Sequence, residues 1–552
     1  MKKLFIYILF LTLPVAVSAQ PSNLSKVAQC VFQISSYNAN GDIIATSNGF
    51  FVNDNGDAVG NWQPFKGAYR AVAEDKSGRT YTIETIYGVN ELYDVCKFHV
   101  NIKSSTVPIA SKQLTKGMKV WVVNRNSATK TATIQSVESF FEHYNYYVLD
   151  ASIPSEFNAC PVVNQSGQVI GIAHASANGK TGSVTDINFG NSFQVTDALL
   201  ANDPTMRSTN IRLAYPKDKQ QALAVLLLAS QRCDSLTRIA YIKDFIDKFP
   251  NEIEGYSSLA EEELKAQHFS TADNLIQRAL TQVKHKDEAH AALAKLIYQK
   301  YAWFPDASYP SWTIDKGIQE AREAYIINAL LPYKHQEAQL TFAKGDYQEA
   351  YNQFLQLTKT NLRSGELYYE AALCKRALQA PATDYIVLLD SAVQVESASS
   401  GAYLPPYLLA RAQALANAEN YRQAVADYNM YDSIMGGRPL YSDFYYQRSQ
   451  CEMKIHQYQQ ALNDINRAIL VNRSNYLLWA EKASLHLRFK QYDEALRSSD
   501  TCLLMDDKNT DAIIIKGIAL CQLKRKKEGL AELEKARQLG DERAEQYIKK
   551  IK

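Results

Sequence analysis

Ala461, Ala495 and Gly529 stand 34 residues apart, in the phrases YQQALNDINRAI, YDEALRSSD and KKEGLAELEKA. A period of that length fits a helix, a turn and a second helix, a unit that buries its apolar face only against its neighbours. The repeated residue must be small because the two helices of a unit cross there. The same phrase surrounds Ala424 (YRQAVADY), Ala350 (YQEAYNQF) and Ala272 (FSTADNLIQRA). An aromatic stands three residues before the alanine at Tyr347, Tyr421, Tyr458 and Tyr492, where it fills the seam between units. Another opens the first helix at Tyr256, Tyr445 and Trp479, with a small residue four positions on at Ala260, Ser449 and Ala483. The 74-residue gap between Ala350 and Ala424 predicts one more, divergent unit around Tyr385 to Ala392. Residues 300–330 break the pattern as an insertion or a distorted unit. The final LGDERAEQYIKKI lacks a partner helix and is expected to cap the stack with a polar outer face. Residues 218–552 thus read as an α-solenoid of about seven or eight repeats.

These phrases resemble the tetratricopeptide (TPR) repeat. The resemblance implies a superhelix whose concave groove, lined mainly by the first helix of each unit, binds extended peptides or partner helices. One mode of that family grips a C-terminal carboxylate with Lys and Asn. The matching positions here are Tyr446 and Gln450 in one unit, and Ala480 and Ser484 in the next, so that clamp is not present. The groove reads as aromatic and polar instead, with Tyr446, Gln450 and Met453 as its peptide-binding candidates. Tyrosine combines contact area with a hydroxyl and suits protein surfaces, although most of the 34 tyrosines are expected to pack between repeats.

The first half has another texture. Lys2 and Lys3 precede the apolar stretch Leu4 to Val17, and Val17-Ser18-Ala19 follows as a small-residue exit. Charge, short apolar core and small residues compose a secretory signal peptide over residues 1–19. The mature chain then begins near Gln20 and works outside the cytoplasm, periplasmic or extracellular. No later apolar run approaches the roughly 20 residues that span a bilayer. Removing Lys2 and Lys3 takes the 60 basic residues to 58, against 58 acidic ones. A neutral chain has no net attraction for polyanions, so nucleic acid is not an expected partner. The eight cysteines form no CxxC and no zinc spacing, and read mostly as small buried side chains. A Cys502–Cys521 pair is left open.

From about Val27 to Val195 the apolar residues alternate with the period of strands, as in Val31 to Ile34, Tyr81 to Ile86, Val120 to Val123 and Tyr146 to Leu149. Turns such as Asn55-Gly56 and Ser166-Gly167 separate them, which predicts an all-β sandwich or barrel over residues 20–201. Residues 202–217 hold two prolines and several polar residues and are expected to be a linker.

Several colinear words in this half resemble the trypsin-like fold of HtrA-type exported proteases. They are Asn48-Gly49-Phe50-Phe51-Val52, Asn55-Gly56-Asp57-Ala58-Val59-Gly60-Asn61, Asp94-Val95-Cys96-Lys97-Phe98, Asn158-Ala159-Cys160-Pro161 and Gly167-Gln168-Val169-Ile170-Gly171-Ile172. The resemblance implies a double β-barrel and places three former triad positions. The histidine position holds Gln63, the serine position holds Asn158, and only the acid survives, as Asp94. Glu156 stands where the family has a glycine at the oxyanion hole, a place that needs hydrogen-bond donors. Losing the serine or the histidine of such a triad alone removes roughly a millionfold of kcat. Amides have no pKa near 7 and cannot act as general bases. Cys160 with His174 is one substitute pair the sequence offers, but the Cys160 position is a packed one in the family, and Ser155, three residues before Asn158, is expected to belong to a loop. No HExxH supports a metalloprotease, and no cofactor or metal is implied.

The chain is therefore expected to be multidomain: an N-terminal all-β trypsin-like double β-barrel followed by an all-α TPR solenoid. Its expected role is an exported, non-catalytic scaffold that binds protein or peptide ligands through the solenoid groove. Two other readings stay open: a divergent serine-type peptidase that recruits substrate through its repeats, and an HtrA-like envelope chaperone. The partner and the oligomeric state are left open.

Overall fold

Five hairpin turns in the first half share one local device. Asn38, Asn53, Asp75, Asn124 and Asn164 each turn a side-chain oxygen onto the backbone N–H groups two and four residues on. Such side-chain turns reverse the chain within a few residues and set the register of the flanking strands. At Asn55-Gly56 the tightness is absolute. Gly56 has φ +89°, and a Cβ there would lie 1.9 Å from the Val100 carbonyl oxygen.

The computed structural model describes residues 20–176, 179–400 and 404–551. The expected signal peptide lies outside them. Six strands form the first barrel: β1 Val31–Tyr37, β2 Ile43–Phe51, β3 Asp57–Gly60, β4 Arg70–Glu74, β5 Thr80–Asn90 and β6 Val95–Val100. They run antiparallel in the order β5-β4-β1-β2-β3-β6, and a β5–β6 pairing closes the ring. The second barrel contains β7 Lys119–Val123, β8 Thr129–Phe140, β9 Tyr144–Leu149, β10 Pro161–Val163, β11 Val169–His174 and β12 Ser183–Asp186. It closes in the order β10-β11-β12-β9-β8-β7. One apolar cluster joins Val31, Phe50, Val59 and Val95 of the first barrel to Val120, Ile134, Leu149 and Ile172 of the second. The fold class expected from the sequence, two tandem β-barrels followed by an all-α region, is the one observed.

Residues 202–217, expected as a linker, are sewn to the first barrel. β13 (Arg212–Leu213) pairs parallel with β5, the Gly67 N–H donates to the Ser208 carbonyl, and the Asn210 N–H donates to the Ala68 carbonyl. The prolines and polar residues that suggested a tether leave enough backbone groups free to pair.

The continuous helical region begins at Lys219. The chain divides into two compact units, one ending at His285 and the other spanning Lys286–Lys552. The first unit carries the helical pairs Lys219–Ser230 with Ser235–Lys248, and Ile253–Lys265 with Phe269–Gln282, after its barrels. The second unit opens with Lys286–Trp303 and Ile314–Ile327, joined by a long loop where the sequence pattern breaks at residues 304–313. Ala289 and Ala294 of the first helix and Gly317, Ala321 and Ala324 of the second are buried small residues of that pair. The divergent unit expected around Tyr385 is the pair Gly365–Ala377 and Ala382–Ser400, with Tyr385 and Ala392 buried.

Further along, the units become regular: Pro405–Asn417 with Tyr421–Ile434, Ser442–Lys454 with Tyr458–Val471, Tyr476–Arg488 with Tyr492–Met505, and Thr510–Gln522 with Lys526–Gln538. Ala424, Ala461 and Ala495 are completely buried. The turn inside a unit passes through a left-handed residue at His456, Lys490 and Lys524, again 34 apart, with φ of 64°, 58° and 65°. Gly345 fills the equivalent turn of Leu331–Lys344 and Tyr347–Leu357 without the Cβ penalty. The last helix, Arg543–Ile551, buries Ala544 and Ile548 beside Leu533 and Ala536, and exposes Lys549 and Lys550.

All eight cysteines are unpaired, Cys502 and Cys521 among them.

Candidate functional site

Asp94 sits in the turn between β5 and β6 with φ +45°. Its carboxylate reaches the segment after β3. Oδ1 accepts the backbone N–H of Trp62 at 2.9 Å and that of Gln63 at 3.0 Å. Oδ2 accepts the Asn61 side-chain amide at 3.4 Å, and the Asn61 oxygen accepts the Ser47 hydroxyl at 2.7 Å. Gln63 and Asp94, two of the three positions singled out from the sequence, are thus brought together, but through the main chain of Gln63. Its side-chain amide is exposed and makes no hydrogen bond among the described residues. Trp62, buried completely, anchors this turn and stacks on Phe65.

Asn158 lies on the second barrel, after the short 3-10 turn Ser155–Phe157. Its side-chain oxygen accepts the Ala175 N–H at 2.9 Å. Its carbonyl accepts the Asn48 side-chain amide at 2.8 Å, and that amide also approaches the Glu156 carbonyl at 3.3 Å. Asn48, on β2, therefore ties the first barrel to the Ser155–Asn158 loop of the second. No hydrogen bond joins Asn158 to Gln63 or Asp94 among the described residues.

Two backbone N–H groups beside the expected oxyanion hole are spent inside the loop. Such a hole needs backbone N–H groups aimed at one outside point. Here the Asn158 N–H donates to the Ser155 carbonyl at 3.0 Å, and the Phe157 N–H to the Pro154 carbonyl at 3.0 Å. Both donors are turned into the 3-10 turn. Glu156 is exposed at its edge. Ala159 adopts φ +57°, a left-handed conformation, where the resembling family places glycine.

Cys160 and His174 have separate partners. Cys160 is completely buried, and burial pushes its thiol far up, away from the thiolate that attack requires. His174 contacts the Thr185 hydroxyl through Nε2 at 2.8 Å. Burial pulls its imidazole down, and the Asp94 carboxylate opposes that pull. Asn48, Asn61 and Thr185 are site residues that sequence reasoning missed. The available signal was weak: Asn48 and Asn61 stand inside words already singled out, but a short amide side chain does not announce its partner.

In the second unit, Tyr446 and Gln450 lie one turn apart on Ser442–Lys454 and line a cavity of about 490 Å³. Gln413, Asn417, Tyr421 and Lys454 share its wall. The surface offers amides, phenols and one ammonium. Within its wall, the Gln447 oxygen accepts from the Gln413 amide at 3.3 Å and the Tyr428 hydroxyl at 3.2 Å. Met453, grouped with these residues from the sequence, does not line the cavity. It packs against the apolar cluster around Phe444 and Ile465, because its position on the helix turns it toward the neighbouring helices.

No protein-family model matches the chain, and no curated protein does.

Proposed function

We propose that this chain is an exported, non-catalytic interaction scaffold: a degenerate trypsin-like module joined to TPR-type repeats that bind a polypeptide. The carrying observation is how the former active-site groups are occupied. Asp94 is spent on the N–H groups of Trp62 and Gln63, and the Asn158 N–H on Ser155. A cleft whose acid orients a loop rather than an imidazole, and whose donors point inward, supports scaffolding over hydrolysis.

The amide- and tyrosine-lined cavity supports the binding half of the reading. Asn and Gln side chains can donate to and accept from a peptide backbone at once, so they hold an extended segment with little demand on its sequence. Lys454 adds a preference for an acidic group nearby.

The test uses the purified chain. Casein-type substrates should not be cleaved, and fluorophosphonate probes should not label it. Turnover that disappears in Cys160→Ala would overturn the non-catalytic reading. Cross-linking in the native envelope should capture a partner that Tyr446→Ala and Gln450→Ala each release without a change in helical content. N-terminal sequencing of the exported chain should begin at Gln20.

A further inference from the structure

Glu366 and Glu370 lie one turn apart on Gly365–Ala377, so their carboxylates leave the same face of that helix. His335, on Leu331–Lys344, meets Glu370 Oε2 through Nε2 at 2.5 Å. One ligand atom from each of the three residues falls within 4.8 Å of the others. Gln339, one turn after His335, donates to Glu370 Oε1 at 2.8 Å and fixes the carboxylate from behind.

The backbone holds this group in place. A Cβ at Gly365 would lie 2.7 Å from the Ala392 carbonyl oxygen and 2.9 Å from the Tyr407 ring. Only glycine allows that approach, and it sets the start of the helix next to Glu366. Charge is left unbalanced: among the described residues no lysine or arginine forms an ion pair with Glu366 or Glu370, and a single imidazole faces two carboxylates.

We propose that His335, Glu366 and Glu370 bind a divalent transition metal, zinc fitting best, as a staple between two helices of the second unit. Zinc takes imidazole nitrogen and carboxylate oxygen at about 2.0–2.2 Å, which asks for ligand atoms about 3–4.4 Å apart. To meet that, His335 Nε2 and Glu370 Oε2, 2.5 Å apart, have to separate by about 0.5–1 Å while the Glu366 carboxylate, within 4.8 Å of both, stays in reach. Magnesium and calcium prefer oxygen ligands in larger number, which an imidazole and two glutamates do not supply. Three protein ligands leave a coordination position for water, and Gln339 is the outer partner that orients Glu370.

The experiment is calorimetric titration of the chelator-stripped full chain with zinc chloride. One equivalent should bind, and Glu366→Gln and His335→Gln should each weaken it roughly tenfold or more. Glu366 is exposed, so Glu366→Gln keeps the test valid should His335→Gln fail to fold, as circular dichroism would show. Magnesium chloride at the same concentration should give no saturable heat. Absence of zinc binding, an unchanged affinity in Glu366→Gln, or equal binding of magnesium would each overturn the site.

Discussion

Asp94 in the barrels and Arg448 in the helices are both charged groups held partly or wholly from water, but different kinds of partner satisfy them. Asp94 takes the backbone N–H groups of one particular loop. Arg448 takes side chains at a fixed offset: Asp464, sixteen residues on, at 2.6 Å, and Asp432, sixteen residues back, at 3.0 Å. Lys516 repeats the arrangement with Glu532 and Asp500, each at 3.0 Å. Arg411 repeats half of it with Asp427 at 2.7 Å. A loop-specific contact belongs to one fold position. An offset contact belongs to the repeat and recurs wherever the period holds.

The comparison breaks most visibly at Arg448. Arg448→Ala takes from the Asp464 carboxylate, only 5% exposed, its bidentate partner and leaves it Arg467 alone, at 4.0 Å. The expected loss is about 3–5 kcal/mol, against about 1–2 kcal/mol for Asp94→Asn, whose amide oxygen still accepts one N–H. Urea midpoints followed by circular dichroism rank the two. Equal losses would mean that the Arg448 pair is no more buried in effect than Asp94.

Glu452, one turn after Arg448, sharpens the same contrast through pH. It is 4% exposed, its Oε2 has no hydrogen-bond partner, and burial, helped by Asp464, pushes its carboxyl up to about 8. Arg448 and Arg467 oppose that shift without cancelling it. Folding therefore favours the protonated form, so this contribution is complete below the ordinary glutamate value and is lost as pH rises toward 8. Glu452→Gln should flatten that decline and stabilise the chain by about 1–3 kcal/mol at pH 9, the scale of relieving one buried unsatisfied group. Melts at pH 5 and pH 9 check it; an unchanged slope rejects it.

The smallest effect tests the offset itself. Lys482 stands 34 residues from both Arg448 and Lys516, but its offset positions hold Ser498 and Asn466. It forms no ion pair among the described residues and lies 5.4 Å from the Trp479 ring. Burial lowers its ammonium. Ser498 is 4% exposed, so Ser498→Asp should complete the pair but lose part of the gain to desolvation, for a net rise in stability of no more than about 0.5 kcal/mol. A fall in melting temperature would show that this unit does not share its neighbours' geometry.

The period of 34 and the alternation of β1 to β12 were legible because each is a local pattern with one structural solution. Small residues at Ala461 and Ala495 demand a helix crossing, and Asn-Gly turns demand hairpins. At the candidate site, Gln63 and Asp94 meet through the Gln63 backbone N–H, while no hydrogen bond among the described residues joins either to Asn158. What sequence alone left undetermined is where polar groups find their partners. Asn48 meets Asn158 across 110 residues, and His335 meets Glu370 across 35. The inward turn of the Asn158 N–H depends on one 3-10 turn, and the fate of residues 202–217 on a free edge of β5. Hydrogen bonds and ion pairs are directional and short, so they are settled only when the tertiary fold brings two distant atoms within about 3 Å. Apolar periodicity needs only a face to bury, which the order of residues along the chain already determines.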